Sequence, residues 1–484
     1  MTAAIATAEG QRSRWGAAPS GLGAWTGVPG RGGTIPRAAR LAPGWLAGAM
    51  ALIWPALWNG YPLVFSDTGT YLSQAIQHYL GWDRPAFYSL FLLSLHFCIT
   101  TWPAVLAQGL IATLIIGICA RMTAPGILAV LLAALAVASP LPFFVSQLMP
   151  DVFTGLLALA LLVLVVAPER LGRWEQRGLV AFAAFAFAAH LSNLPIGVGL
   201  VAALLALRRV LGARAALGFA GWRRLIAAPL LAIMALMAAN LAGHGRASIA
   251  PYGNVFLLTR VIYDGPGLDA LRADCPRPGW RLCRLVPQFP ASADRFLWSA
   301  DGPVVRAGGA KLVSREAGAI ILAAVRAEPL REVGAMLRNT ARQLAMFQTG
   351  AGLHPWPGTV TPWIDRDFPR FEQRDYAASR QTRGLPVLPA GLAWLHEAIA
   401  LGAIAACLLL LPGALRRRKL GAGVIVTMLL TLLLNAAVTG ALSGPHDRYQ
   451  SRVMWLPLLA AVLAGAEAAA SRARPAGRAT IAAE

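Results

Sequence analysis

The feature that most constrains this chain is a series of apolar segments, each close to the length that crosses a lipid bilayer. There are ten of them, at residues 44–60, 103–120, 126–145, 152–168, 178–192, 195–207, 225–243, 391–412, 421–441 and 453–469. An α-helix needs about 20 apolar residues to cross roughly 30 Å of hydrocarbon. Because 57% of the residues are hydrophobic and only 13% are charged, we expect an all-α polytopic membrane protein with about ten transmembrane helices.

The net charge of +21 indicates membrane topology rather than nucleic-acid binding. Lys and Arg fall in short clusters between apolar segments, for example at 208–224 and 416–419, instead of lining one face of a domain. The positive-inside rule places these clusters in the cytoplasm. We therefore expect a bacterial inner-membrane protein with cytoplasmic N- and C-termini and no nucleic-acid partner.

This topology divides the chain into a disordered cytoplasmic N-terminus, a transmembrane module, an extracytoplasmic loop domain, C-terminal transmembrane helices and a cytoplasmic tail. In that order the parts are residues 1–43, 44–243 (with the first outer loop at 61–102), 244–390, 391–469 and 470–484. The register depends on dividing 178–207 into a helical hairpin near Pro195, since a single span there would place the arginines of 208–224 outside.

The long loop contains two cysteines, Cys275 and Cys283, eight residues apart. Extracytoplasmic compartments are oxidising, so we expect a disulfide between them, with two free thiols as the alternative. A metal site is less favoured, because no second Cys or His pair lies at ligand spacing. Further along, residues 316–347 have the apolar spacing of a helix interrupted at Pro329, and such a helix could lie along the bilayer surface.

The first outer loop begins with the pattern of an amphipathic helix. After Asp67, apolar residues recur at helical spacing with polar residues opposite, and Gly81 is a suitable C-terminal stop. The apolar set is Tyr71, Leu72, Ala75, Ile76, Tyr79 and Leu80, and the polar set is Ser73, Gln74, Gln77 and His78. We expect an interfacial helix. Ser66 or Asp67 could cap its first amides, which is the structural alternative to a functional role for Asp67.

Under this topology the polar residues that flank the spans all face the outer side. They are Asp67, Asp83, Arg84, Asp151, His190, Asn193, Arg448 and Tyr449. Ionisable groups at the edge of hydrocarbon are costly unless they are paired or used. The pattern favours a site with carboxylates for acid/base or metal chemistry and arginines for an anionic group. The alternative is a set of solvated loop ends with ordinary Arg–carboxylate pairs.

In their order and sidedness these motifs resemble the GT-C superfamily of integral-membrane glycosyltransferases, particularly the protein O-mannosyltransferases and lipid A aminoarabinose transferases. The resemblance covers about residues 44–207 and 440–470. It implies that Asp67 acts as general base or metal ligand, that Arg84 in "DRPAFY" holds the donor phosphate, and that Asp151 in "MPDVF" is the second-loop carboxylate. His190 and Asn193 would stand in a polar turn that ends at a Pro, and Arg448 with Tyr449 would be the late Arg-Tyr. Two features depart from the family pattern: Met149 replaces an Arg, and the large loop lies between the seventh and eighth spans.

The activity implied by the resemblance is transfer of a sugar from a polyprenyl-phosphate carrier to an acceptor on the outer face of the inner membrane. Its partners would be membrane lipid and the lipid-linked donor, and Asp67 with Asp151 could hold a divalent metal. Two alternatives stay open: a transporter or flippase of a lipid-linked or anionic solute, and an outer-face acyltransferase or ligase using His96 or His190. Transporters usually show internal repeats and midplane charges, which this chain lacks, and a lone His near an apolar segment is usually a packing residue.

Overall fold

The structure, a computed structural model, describes residues 37–211 and 217–472, with side chains from Pro43 onward. The expectations for 1–36 and 473–484 lie outside these residues. Within the described ranges the chain is all-helical and has no β-strand, only an isolated bridge between Leu63 and Gln147. Residues from Pro43 onward form one compact unit.

Twenty-three α-helices follow one another along the described part of the chain. The first eleven are α1 Arg37–Leu52, α2 Trp54–Asn59, α3 Thr68–Ile76, α4 Ala86–His96, α5 Trp102–Thr123, α6 Leu128–Ala138, α7 Leu141–Ser146, α8 Val152–Val166, α9 Arg173–Ala189, α10 Asn193–Leu207 and α11 Phe219–His244. The long loop contains α12 Asn254–Tyr263, α13 Pro266–Asp274, α14 Ala293–Trp298, α15 Pro303–Arg306, α16 Ala310–Ala327, α17 Pro329–Ala345, α18 Thr361–Asp367 and α19 Arg370–Ala378. The last four are α20 Leu392–Arg416, α21 Leu420–Leu442, α22 Asp447–Ser451 and α23 Leu456–Arg472.

Five helical segments of the described chain are long and apolar enough to cross a membrane. They are Trp102–Thr123, Phe219–His244, Leu392–Arg416, Leu420–Leu442 and Asp447–Arg472. The protein is therefore a helical membrane protein. The other five predicted spans are also helical but shorter, and two are interrupted: 44–60 at Ile53 and 126–145 at Ser139. A proline follows each interruption, Pro55 two residues after Ile53 and Pro140 directly after Ser139, and a proline cannot donate a helical hydrogen bond.

The predicted division of 178–207 into two helices is present in the structure. The helices α9 and α10 are joined by residues 190–192, so the chain turns before Pro195 rather than at it. Pro195 falls in the first turn of α10, where a missing N–H costs little. Gly197 lets α10 approach α9 closely, because a Cβ at this position would clash with the ring of Phe187 on α9.

The helix at the centre of the bundle is α8. All 15 of its residues are buried, and it packs against α5, α9, α10 and α21. A helix that is apolar on every side is buried on every side. This placement matters for function because Asp151 is the residue immediately before α8.

The first outer loop contains the predicted helix, α3, but two details of the prediction are wrong. The helix ends at Ile76, and His78 has a left-handed φ of 55°, so the chain turns before Gly81. Only part of its predicted polar side is solvated: Gln77 and His78 are exposed, whereas Ser73 and Gln74 are buried, and Gln74 donates to Ser89 Oγ at 2.5 Å. The helix is packed between α4 and α18, and packing rather than water satisfies its buried polar groups.

The long loop is helical and has its own apolar core around Val255, Leu258, Phe296 and Val313. Cys275 and Cys283 form a disulfide beside this core, the pairing expected from the sequence.

The second half of the long loop is bonded to the first outer loop. Glu372 Oε1 accepts hydrogen bonds from Tyr61 Oη and from the backbone N–H and hydroxyl of Thr101, each at 2.8 Å. Gln381 exchanges side-chain hydrogen bonds with the backbone of Val64 at 2.7 and 3.0 Å. The two outer segments therefore hold each other in place around Asp67.

Candidate functional site

Six charged side chains from distant parts of the sequence form one continuous chain of ion pairs. In spatial order they are Asp83, Arg84, Asp67, Arg448, Asp151 and Arg452. Carboxylates and guanidiniums alternate along it, so each buried charge has a neighbour of opposite sign, as buried ions require. We call this set the charge chain.

The outer end of the charge chain lies in the first outer loop. Arg84 donates to Asp67 Oδ2 at 2.7 Å, and its other terminal nitrogen donates to the backbone carbonyl of Asp83 at 3.0 Å. Asp67 is the residue before α3, but its side chain makes no capping hydrogen bond. The predicted capping role is therefore wrong, because the carboxylate turns to the guanidinium of Arg84. Burial raises the pKa of Asp83, although Arg84 opposes the shift.

The inner end is fully buried and fully hydrogen-bonded around Arg452. Its guanidinium donates to Asp151 Oδ1 at 3.3 Å, to Ser192 Oγ at 3.0 Å and to Asn435 Oδ1 at 2.8 Å. It also lies 3.3 Å from His190 Nε2. Because a guanidinium only donates, this nitrogen accepts, and His190 is neutral. Burial raises the pKa of Asp151, but Arg448 and Arg452 outweigh that effect and lower it to about 2.

Arg448, in the middle, is the loosely held member. Its terminal nitrogens lie 3.8 Å from Asp67 Oδ2 and 3.8 Å from Asp151 Oδ2, too far for hydrogen bonds. Its Nη1 and the Oδ2 of Asp151 are buried without a hydrogen-bond partner in the described part of the chain. The guanidinium stacks on Phe65, 3.8 Å from the ring centroid. A buried guanidinium with an unused donor can bind an anion without first breaking a strong hydrogen bond.

Arg448 also lines a narrow cleft. Besides Arg448, the cleft is lined by Phe143, Phe144, Gln147, Gln348, Gly350, Ala351 and Leu353. The cleft has room for little more than a water molecule, so it marks an opening beside Arg448 rather than a complete ligand pocket.

The sequence near the chain's end explains why Arg448 and Arg452 act together. They are four residues apart across α22, so they project from the same side of a helical turn. Asn435, on α21, donates to the carbonyl of Tyr449 at 2.7 Å and to the side chain of Gln450 at 2.8 Å. This single buried amide therefore fixes both the turn that carries the arginines and Arg452 itself.

A group of aromatic rings lies next to Arg84. Trp82 stacks on Phe256 at 5.3 Å between ring centroids and lies 5.3 Å from Trp298. The guanidinium of Arg84 is 5.9 Å from the centroid of Trp298, whose side chain is 44% exposed. The long loop thus contributes an open aromatic face to the outer end of the charge chain.

The structure brings together most of the residues singled out from the sequence. Asp67, Asp83, Arg84, Asp151 and Arg448 belong to the charge chain.

The three other predicted site residues are not members of the charge chain, and each has a different position relative to it. His190 hydrogen-bonds the buried end of the charge chain, and Tyr449 faces Arg448 with its ring centroid at 5.4 Å. Asn193 lies outside. Its Oδ1 accepts a hydrogen bond from Thr154 Oγ1 and its Nδ2 donates to the carbonyl of Ala186, both at 2.8 Å. Asn193 therefore joins α8, α9 and α10.

Sequence analysis missed four contributors: Arg452, Asn435, Phe65 and Trp298. Arg452 could have been found from its spacing of four from Arg448, and Asn435 as a lone amide within an apolar segment. Nothing in the sequence marks Phe65 or Trp298, whose positions depend on how distant loops pack.

The site does not fit a metal ion held by Asp67 and Asp151. The guanidinium of Arg448 lies between the two carboxylates, and each is also paired with a second arginine. No group of three potential ligands occurs in the described ranges. We therefore derive no step through a metal.

The chain is not assigned to a family by comparison with known proteins. No family model, curated protein or solved structure matches the chain. The chemistry of the site is accordingly inferred from the charge chain and its surroundings.

Proposed function

We propose that this protein is a membrane glycosyltransferase of GT-C-like architecture with ten spans. It transfers a sugar from a polyprenyl-phosphate carrier to an acceptor at the outer face of the inner membrane. The observation that carries the proposal is Arg448, a buried guanidinium with an unused donor between Asp67 and Asp151. An anionic phosphate is the ligand that such a group binds best.

In the proposed reaction an acceptor hydroxyl attacks the anomeric carbon of the donor sugar. The bond from that carbon to the phosphate oxygen breaks, and the polyprenyl phosphate leaves with the electron pair. Asp67 takes the proton of the attacking hydroxyl. Arg448 and Arg84 hold the phosphate, on which negative charge develops as the bond breaks.

The two carboxylates predicted to be catalytic receive different roles. Asp67 is reachable: its side chain is 13% exposed, and its Oδ1 has one weak contact, with Ser66 Oγ at 3.3 Å. Asp151 is completely buried and is paired with two arginines. We therefore assign proton transfer to Asp67 and the positioning of Arg448 to Asp151.

The aromatic face of Trp298 fits the sugar itself. A pyranose ring has apolar C–H faces, and an exposed indole offers a flat apolar surface for them. Because Trp298 lies beside Arg84, a sugar stacked on it would have its phosphate next to the arginines.

The test is reconstitution of the purified protein in liposomes with radiolabelled polyprenyl-phosphate sugars, with release of the carrier phosphate as the readout. We expect Asp67→Asn to reduce turnover by about 10²–10⁴-fold, the usual contribution of a general base. Arg448→Gln should raise the donor concentration needed for half-maximal rate. Asp365→Asn, at an exposed position of the long loop, is the matched control and should turn over normally.

Two results would contradict the proposal. One is full turnover by folded Asp67→Asn protein. The other is movement of the intact lipid-linked sugar across the bilayer without cleavage, which would indicate a transporter or flippase.

A further inference from the structure

One helix of the long loop, α17, is oriented with its polar side inward. The residues it buries are Glu332, Ala335, Asn339 and Gln343. Three of these four are polar, whereas an ordinary surface helix buries an apolar stripe. The apolar residues of α17 are therefore not buried against the rest of the protein, and they need another apolar environment.

The inward side is held by specific polar contacts. Glu332 forms a buried ion pair with Arg260 of α12, and Asn339 donates to Asp264 Oδ2 at 2.9 Å. Gln343 accepts from the backbone N–H of His446 at 2.9 Å and donates to its carbonyl at 2.8 Å. These bonds leave α17 no freedom to rotate its apolar side toward the protein.

The outward side of α17 is apolar. Leu330 is 85% exposed, Leu337 66%, Val333 52% and Leu344 38%. Their spacing of three, four and seven residues places them on one stripe. Large apolar side chains gathered in one exposed stripe mark an interaction surface.

Three arginines run along one edge of this stripe. Arg331, Arg338 and Arg342 are seven and four residues apart, so they share one flank of the helix between the buried and the apolar sides. Arg331 is paired with Glu328 and Asp269, whereas Arg338 and Arg342 are exposed. An apolar stripe with a basic edge is the pattern of a helix that lies at the surface of an anionic membrane.

The inward side of α17 also packs on a helix that can cross the membrane. At Gly440 of α21 a Cβ would lie 2.7 Å from the carbonyl oxygen of Asn339, so the two backbones are in direct contact. Asn339 is one of the residues that α17 buries, so α17 packs its inward side on this candidate span, and its apolar stripe points away from the span into the surroundings. We propose that the outward face of α17 is a lipid-binding surface that lies in the membrane interface and selects anionic phospholipids through Arg338 and Arg342.

The experiment uses the full-length protein in lipid vesicles with a fluorophore on Leu337→Cys. The background is Cys98→Ser, because the other free cysteines, Cys119 and Cys407, are buried. Brominated phosphatidylcholine should quench the label, and aqueous iodide should not. A label on Asp301→Cys, at an exposed turn of the long loop, is the control and should show the opposite response.

Lipid selectivity is measured by replacing the brominated phosphatidylcholine with brominated phosphatidylglycerol at the same mole fraction. We expect stronger quenching, with enrichment of up to about fivefold for each arginine near the surface. Arg338→Gln/Arg342→Gln should remove this preference. The charge-matched pair Arg277→Gln/Arg281→Gln, in the disulfide loop, should keep it.

Three outcomes would overturn the proposal. Iodide quenching of Leu337→Cys would place the stripe in water. Protection from both quenchers would show that a protein surface, such as a second copy, covers it. Equal quenching by the two brominated lipids would refute the selection of anionic lipid.

Discussion

At the scale of single residues, the charge chain has one satisfied end and one unsatisfied centre. Arg452 uses its donors on Asp151, Ser192 and Asn435, while Nη1 of Arg448 is buried without a hydrogen-bond partner among the described residues. Breaking a buried pair costs more than its formation gains, because the remaining charge stays buried. We therefore expect the inner end to govern stability and the centre to govern binding.

Asp151→Asn should lower the free energy of unfolding by about 3–5 kcal/mol, because it leaves two buried arginines without their common partner. Thermal unfolding in detergent measures the change. The exposed Asp365→Asn substitution should change the free energy of unfolding by less than about 0.5 kcal/mol. Equal midpoints for Asp151→Asn and the wild type would contradict a structural role for this pair.

The same carboxylate predicts a pH dependence. Its pKa in the folded protein is lowered to about 2, below its ordinary value of about 3.9. A lowered pKa adds stability above the ordinary value, and this contribution is lost as the pH falls from about 4 toward 2. Over that range the wild-type melting temperature should fall more steeply than that of Asp151→Asn, which cannot titrate there; parallel curves would refute the assignment.

At the scale of elements, the site depends on how α8, α21 and α22 are held together. The fully buried α8 places Asp151 at its N-terminal end, and Asn435 of α21 fixes the turn that carries both arginines. In the long loop, α17 packs against α21, and Gln343 of α17 hydrogen-bonds His446, the residue next to Asp447. A displacement of α17 should therefore also shift the position of Arg448.

Gly440→Ala tests the contact between α17 and α21. Its new methyl group would lie 2.7 Å from a backbone oxygen that cannot move easily, so we expect a loss of about 1–3 kcal/mol in unfolding free energy. Gly402→Ala on α20 is the control, since a Cβ there meets nothing within 4 Å. That substitution should be neutral or slightly stabilising. If both alanines behave alike, the two helices are not in the close contact described.

At the scale of the whole molecule, the long loop and the first outer loop form one structure around the outer end of the charge chain. Glu372 and Gln381 bond the second half of the long loop to residues near Asp67. Trp298 comes from its first half. The loop therefore belongs to the site, and the positive-inside rule predicts that both face the outer side.

Sidedness can be tested with a membrane-impermeant maleimide on spheroplasts in the Cys98→Ser background. Asp301→Cys in the long loop should react at once. Arg417→Cys, at the exposed turn between α20 and α21, should react only after permeabilisation, because its basic cluster belongs inside. The reverse pattern would invert the topology and with it the proposed outer-face reaction.

What the sequence determined by itself is the class of protein and the position of its helices. Apolar length and the need to satisfy backbone hydrogen bonds in lipid act locally, so each predicted span is helical and the hairpin at 178–207 is present. Tertiary structure alone decided which polar groups meet. Asp67, Asp151 and Arg448 are far apart in the chain, and Phe65, Trp298 and Asn435 join them only through packing. It also decided that Asn193 holds helices together and that Ser73 and Gln74 of α3 are buried. Local patterns carry no information on these contacts, because a side chain's partner is determined by elements distant in sequence.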